Sequence, residues 1–381
     1  MKTIPILLAT LFAGLSAFAA DGPDSPEAVA AEKRREEIPL GGDFHPDPKV
    51  PTFVVVGHGG RILVSKDDGE TWSQPFFGYP GADHSAWATK SVTYGGGVFV
   101  VAVGWGAPTS YLASDDAVHW RHLTSGETEL REAKGNPRVM PGTWGLAAGK
   151  GVIVGSGYMT MCATPDLGRT FDSFTMWGAF KDDPRGKLNT HHVEPVYCGD
   201  ASGRFLALGD NRGEVGPKFG HLFASDDLGK TWTWLTPKGL DASTGRGSLV
   251  GNGGLLLMTD KDAENAWTSA DAGETWSGPF PTGAKRAILS VVGGEFWLCG
   301  KPSRASTDGK VWRDLPDAVP LGQVIASDKG TLVSIHPQRF NILRSTDGGK
   351  SWAEIHRYTP DEIGGGAQGL RDGAFGLVRP D

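Results

Sequence analysis

The sequence predicts an all-β fold, a ring of seven four-stranded antiparallel blades closed by the C-terminal strand, and three observations carry that expectation. One short element recurs seven times along the chain. Each recurrence sits in the same order of apolar runs and glycine-rich turns. The last apolar stretch of the chain supplies the one strand that the first repeat lacks. Four antiparallel strands per repeat, arranged radially, describe a seven-bladed β-propeller.

The recurring element is clearest at Ser65-Lys66-Asp67-Asp68-Gly69-Glu70-Thr71-Trp72. Full-length copies begin at Ser225, Ser269 and Ser345, and a softer one runs from Thr164 to Phe171. Two copies, Ser114 to Trp120 and Ser306 to Trp312, are one residue shorter. The Ser hydroxyl and Asp carboxylate are suited to bonding backbone N–H groups in a tight turn between two strands. Glycine supplies the positive φ that such a turn needs. The Trp opens the next strand and anchors it.

Repeat two shows the full order. Ser91 to Tyr94 reads as an inner strand, Gly95-Gly96-Gly97 as its turn, Val98 to Val103 as the second strand and Tyr111-Leu112-Ala113 as the third, with the fourth starting at Trp120. Equivalent turns lead into second strands at Val152, Phe205, Leu255, Phe296 and Thr331. Repeat one has Thr52 to Val56 but no inner strand, whereas Gly369 to Phe375 resembles one. The C-terminus is therefore expected to complete the first blade.

The N-terminus has a different character. Lys2, the apolar run Ile4 to Phe12 and Ala17-Phe18-Ala19 have the layout of a secretory signal over residues 1–20. Residues 21–45 read as a charged extension, and residues 46–381 as a single propeller domain. A secreted or periplasmic location follows as an expectation, with no membrane insertion, since the apolar run is too short to span a bilayer. A net charge of −7 argues against nucleic acid as a partner. Three cysteines, Cys162, Cys198 and Cys299, are too few for a disulfide framework and read as buried thiols, with a Cys162–Cys198 bridge left open.

Function is expected on the face opposite the recurring turns, where blade-to-blade connections and the loops between second and third strands converge on the channel. These segments carry Asp83, His84 and Lys90 before blade two, Trp144 before blade three, and His191-His192-Val193-Glu194 before blade four. Asp210, Arg212, Arg246 and Arg286 follow in later connections. Lys90, Trp144, Glu194 and Arg246 fall at similar places near the entry of inner strands. Arg246, Arg286 and Lys90, with His84, Trp144, Asp210 and Arg212, are candidates to hold an anionic substrate, arginine being suited to a carboxylate or sulfate. Glu194 and Asp83 are candidate acid–base groups for glycosidic cleavage. Tyr158 and His192 form a candidate acid and base for elimination of a uronate. The plainer alternatives are solvated loop charges and a Glu194 that neutralises its cationic neighbours. Adjacent strand residues point to opposite faces, so His191 and His192 do not share a metal; no metal or cofactor is expected.

The recurring element resembles the Asp-box, or bacterial neuraminidase (BNR) repeat, of sialidase-like propellers, over residues 65–352. That resemblance implies a structural role for the element on the outer rim, with no chemistry from its aspartates. It also implies an acidic glycan or other carbohydrate as partner. The enzyme classes it suggests are a glycoside hydrolase of the exo-sialidase kind and a polysaccharide lyase. A second class is similar to the Asp-box factors that assist photosystem II assembly, non-catalytic propellers that bind a protein or carbohydrate.

Overall fold

A computed structural model describes residues 49–57, 60–77, 88–104, 110–122, 145–157, 160–165, 172–183, 193–199, 202–209, 221–240, 247–357 and 369–380. The expected signal, the charged extension and residues 166–171 of the Thr164–Phe171 copy lie outside these residues. The described strands form seven separate four-stranded antiparallel sheets. Blade 1 begins with β1 (Val50–Gly57), β2 (Arg61–Ser65) and β3 (Ser73–Phe77). Blade 2 contains β4 (Ala88–Gly95), β5 (Val98–Gly104), β6 (Ser110–Ser114) and β7 (Arg121–His122). Blade 3 contains β8 (Leu146–Gly149), β9 (Val152–Ser156), β10 (Thr160–Thr164) and β11 (Asp172–Thr175), followed by the single helical turn α1 (Met176–Ala179). Blade 4 contains β12 (Val193–Tyr197), β13 (Phe205–Gly209), β14 (His221–Ser225) and β15 (Thr233–Trp234). Blade 5 contains β16 (Leu249–Asn252), β17 (Leu255–Thr259), β18 (Asn265–Ser269) and β19 (Ser277–Pro281). Blade 6 contains β20 (Ile288–Val292), β21 (Glu295–Cys299), β22 (Arg304–Ser306) and β23 (Arg313–Asp314). Blade 7 contains β24 (Gln323–Ala326), β25 (Leu332–Ile335), β26 (Asn341–Ser345) and β27 (Ala353–Arg357).

The last strand, β28 (Leu370–Val378), pairs antiparallel with β1 and completes blade 1 as its innermost strand. The expected closure is therefore the observed one, and the molecule is a seven-bladed propeller. Successive innermost strands lie side by side around the ring, with β28 in contact with both β4 and β24.

Alternation along the strands builds seven cores instead of one. In β1, Phe53 and Val55 join Ile325, Val333 and Ile335 of blade 7, while Val54 and Val56 join Val92, Phe99 and Val101 of blade 2. The other five clusters repeat the arrangement at the remaining blade boundaries. A period of two thus gives every sheet two apolar faces, each covered by a neighbour.

The turns show why the recurring element has its composition. Asp68, Leu228 and Ala272 each have φ between 53° and 60°, and the glycine that follows has φ between 84° and 90°. Two successive left-handed residues reverse the chain, and the first carries a side chain at a cost of roughly 1–2 kcal/mol. Hydrogen bonds offset this cost. Ser65 Oγ donates to Asp67 Oδ1 at 2.8 Å and accepts from the Gly69 N–H at 2.9 Å. Asp67 also accepts from the Thr71 N–H and hydroxyl, and Trp72 Nε1 donates to Gly69 O at 3.2 Å. The copies at Ser225, Ser269 and Ser345 repeat each of these bonds. The shorter copies need one left-handed residue only, Ala117 or Gly309. Their aspartates accept from the next two backbone donors instead, Val118 and His119 or Lys310 and Val311.

Two predictions follow from closure and from the turns. Removing residues 369–381 deletes the burial of Leu370 and Val378, worth about 4 kcal/mol together, and leaves β1 with an open edge. The expected result in differential scanning calorimetry is a fall in Tm on the order of 10 °C or more; an unchanged Tm overturns the closure argument. The second concerns acid. Burial would raise the carboxyls of Asp67, Asp116, Asp227 and Asp271, but the turn donors together outweigh it and hold all four below the ordinary value. At Asp308 the Val311 N–H, and at Asp347 the Ser351 hydroxyl, lead the same downward shift. A depressed folded pKa gives stability that is complete above the unfolded value and lost as pH falls through the folded one. Stability is therefore expected to fall once pH drops below about 4, and a Tm that is flat from neutral pH into that range contradicts the assignment.

Candidate functional site

In blades 2, 5, 6 and 7 the recurring turn, between third and fourth strands, lies on the same side as the turn between first and second strands. The opposite side holds the starts of the inner strands and the loops between second and third strands. Strand register defines one layer there. Phe53, Phe99, Phe205 and Leu332 each pair with the serine that opens their blade's turn. Three residues further along lie Val56, Ala102, Leu208 and Ile335, whose inner-strand partners are Asp372, Ser91, Glu194 and Gln323. These four polar residues therefore share a level near the channel mouth.

Asp372 is the centre of a network that crosses three blades. Its Oδ2 accepts from Ser91 Oγ at 2.7 Å and from the Val92 N–H at 3.0 Å, both in blade 2. Its Oδ1 accepts from Gln323 Nε2 of blade 7 at 2.9 Å and from the Gly373 N–H at 2.8 Å. The side chain keeps some solvent contact yet sits deep among the inner strands. Burial pushes its carboxyl above the ordinary value, and the four donors pull back without cancelling the shift. Glu194, in blade 4 at the same level, is exposed.

Two bulges adjoin this layer. Between Val56 and Gly57 the register of β28 slips, so that Arg371 is the extra residue, and between Thr89 and Ser91 the register of β4 slips at Lys90. A bulge redirects a side chain out of the strand's alternation. Arg371 is half-buried, its Nε is buried without a hydrogen-bond partner, and burial pulls the guanidinium below the ordinary arginine value. Gln323 Oε1 is likewise buried and unpartnered.

Neighbouring mouth elements add cations. Arg286 precedes β20, is exposed, and has φ of 50° while its N–H donates to Asp262 O in the β17–β18 loop at 2.6 Å. Arg339 lies exposed in the β25–β26 loop. That loop is tied to the entry of β28 by Gly369 N–H to Pro337 O at 2.6 Å and Leu370 N–H to Arg339 O at 3.2 Å. His336, in the same loop, is shifted towards its neutral form by burial and then by the Arg339 charge, and its Nδ1 accepts from the Gln338 N–H at 3.0 Å. Lys285 instead pairs with Glu264 at 2.8 Å.

Of the residues singled out in the sequence, the structure describes Glu194 and Arg286 fully, and Lys90 by its backbone. By register Ser91, not Lys90, is level with Glu194. Asp83, His84, Trp144, Tyr158, His192, Asp210, Arg212 and Arg246 lie outside the described residues. Asp372 and Arg371 are not among the site residues expected from the sequence, although Gly369 to Phe375 resembles an inner strand. The available signal was a charged Arg-Asp pair at the entry of that strand, near the level of Glu194 in its own blade.

Among the described residues no group of three His, Cys, Asp or Glu side chains is placed to hold a metal ion. Cys162, Cys198 and Cys299 are buried and none is in a disulfide, so the bridge left open between Cys162 and Cys198 does not form. These two cysteines belong to different blade boundaries. Burial pushes the Cys162 thiol up to about 11 and the Cys299 thiol up to about 12. Native protein is expected to resist a thiol-titrating reagent near pH 8, with all three thiols reacting in denaturant. Rapid labelling of the native protein is the contrary outcome.

No family model matches the sequence, and no curated protein matches it either. Solved structures do resemble it in fold. A functionally unknown protein from Desulfotomaculum acetoxidans superposes with a TM-score of 0.55 at 12% identity, covering 87% of this chain and 100% of that one. A candidate 6-phosphogluconolactonase from Bacteroides fragilis gives 0.54 at 11% identity, covering 87% and 98%. YCF48 from Cyanidioschyzon merolae gives 0.49 at 14% identity, covering 83% and 98%. At such identities the likeness concerns the propeller fold alone.

Proposed function

We propose that this chain is a secreted, sialidase-like Asp-box propeller that acts on an acidic glycan, whose anionic group is held at the channel mouth. The observation that carries the reading is a run of three arginines, Arg286, Arg339 and Arg371, on mouth elements associated with blades 6, 7 and 1. Among the described residues none of the three has a carboxylate partner. Unneutralised guanidinium groups on consecutive blades favour an anion over a neutral sugar. The repeated Ser–Asp–Gly–Trp hydrogen bonding supports the Asp-box assignment. In the catalytic form of the reading, Glu194 is the acid–base group across the mouth.

One observation favours a second, non-catalytic reading, in which the propeller binds an acidic glycan without cleaving it. Glycosidic cleavage generally divides its work between two carboxyl groups. Both oxygens of Asp372 are engaged by donors within the fold, which leaves the partner for Glu194 unassigned. A binding function needs only the cationic sector.

The test separates the two readings. Wild-type protein is incubated with sialosides, uronans and sulfated glycans, following released sugar or unsaturated product and, in parallel, binding by calorimetry. Arg286→Ala is expected to weaken binding of an acidic glycan about tenfold, corresponding to ~1.4 kcal/mol, with little effect on a neutral one. Turnover abolished by Glu194→Gln supports the enzyme, and binding without turnover supports the module. Equal affinity for acidic and neutral glycans rejects both.

A further inference from the structure

His336 closes a tight turn with its own ring. Across His336-Pro337-Gln338-Arg339 the Arg339 N–H donates to His336 O at 3.0 Å, and inside the turn the Gln338 N–H donates to His336 Nδ1, also at 3.0 Å. The ring stands where an aspartate or asparagine side chain commonly accepts from the residue two ahead. A ring nitrogen that accepts a hydrogen bond carries no proton, so this imidazole is neutral with its hydrogen on Nε2. The turn in its place holds the closing strand: Pro337 O accepts from the Gly369 N–H at 2.6 Å and Arg339 O from the Leu370 N–H at 3.2 Å. Position 369 has to be glycine for this approach, since a Cβ there would fall on the Arg339 backbone.

We propose that this turn is a proton-operated clasp on the entry of the closing strand, fastened while His336 is neutral and loosened when Nδ1 takes up a proton. A proton on Nδ1 sets donor against donor at the Gln338 N–H, so the ring has to leave the turn. The turn then loses one of its two internal bonds, and with it the fixed carbonyls of Pro337 and Arg339 that hold Gly369 and Leu370. The surrounding charges do not favour protonation. Among the described residues, β25 carries no ionisable side chain and β26 carries Arg344, held at the rim by Asp68 O. Strand β27 carries His356 together with Glu354 and Arg357, which pair with each other, and β28 carries Arg371 and an Asp372 held by four donors. Burial first, and the Arg339 charge second, keep the ring below the ordinary histidine value. A base depressed in the folded state gives stability that is complete above its unfolded value, about 6.5, and lost as pH falls through the folded one. The clasp is therefore closed at neutral pH and opens in mild acid, at the mouth end of the seam between blades 7 and 1. The rim end, held by Tyr94 OH to Leu377 O and Arg379 N–H to Asp115 O, takes no part in the titration.

The experiment is amide hydrogen exchange on the full chain at neutral and mildly acidic pH, corrected for the intrinsic pH dependence of exchange and followed in a peptide that contains Gly369 and Leu370. Between pH of about 7 and about 5, exchange at these amides is expected to speed up by about threefold or more in wild-type protein. His336→Asn supplies an oxygen that accepts from the same N–H at every pH, and is expected to stay protected throughout. His336→Ala has no acceptor, and is expected to exchange fast at both values. Corrected exchange that does not change with pH in wild-type protein overturns the inference, as does an equal rise in His336→Asn. Imidazole nitrogen NMR of histidine-labelled protein, with the His336 signal identified by its loss in His336→Asn, gives a second decision. An Nε2–H ring that titrates below about 6.5 is the expected result; a ring protonated on Nδ1 at neutral pH overturns the clasp.

Discussion

Every sheet in this protein has two apolar faces, and neither can be left in water. A blade with Phe53 and Val55 on one side and Val54 and Val56 on the other needs a neighbour on each, and so does every blade after it. A row of such sheets is satisfied only by joining its ends. The closure between β28 and β1 does this with paired backbone from Val50–Val378 to Gly57–Leu370. The seam to blade 2 is then pinned by Tyr94 OH to Leu377 O at 2.6 Å and by Arg379 N–H to Asp115 O at 2.9 Å. Gly376 is part of that seam, since a Cβ there would overlap the Tyr94 ring.

The recurring turns serve the same requirement at the rim. Their aspartates are prominent in the sequence, but the oxygens of Asp67, Asp227, Asp271 and Asp347 are occupied by donors from their own turns. What the turns deliver is the tryptophan, which enters the cluster shared with the preceding blade, as Trp232 and Trp276 do. Arginine links then run between rims. Arg204 reaches Asp226 of its own blade and Glu274 of the next, each at 2.6 Å, and Arg344 reaches from blade 7 to Asp68 O in blade 1 at 2.9 Å. Exposed carboxylates make such links modest contributors to stability.

Among the described residues the mouth differs from the rim in having no repeated solution. Its polar layer holds an acid, a hydroxyl, an amide and a second acid in Asp372, Ser91, Gln323 and Glu194, each in a different blade. Arg371 and Lys90 occupy bulges, the places where the inner strands break their own alternation. Repeating the turns fixes the blade count, and the entries of the inner strands are then free to differ in chemistry.

The sequence by itself determined the blade count, the strand order within each blade, the turn chemistry and the need for a C-terminal closing strand. These are local or periodic properties: alternation has a period of two, the turn spans eight residues, and a missing strand is visible as a gap in the repeat. It also placed Glu194 near the mouth, because the entry of an inner strand can be counted from the turn. Tertiary structure alone decided that Asp372, Ser91 and Gln323 meet, since their separations of 281 and 49 residues are closed only when the ring is. It also decided that Arg371 falls on a bulge and is half-buried, with no carboxylate partner among the described residues. A bulge depends on pairing with a partner strand, and burial depends on neighbouring blades, so neither can be read from a strand's own residues.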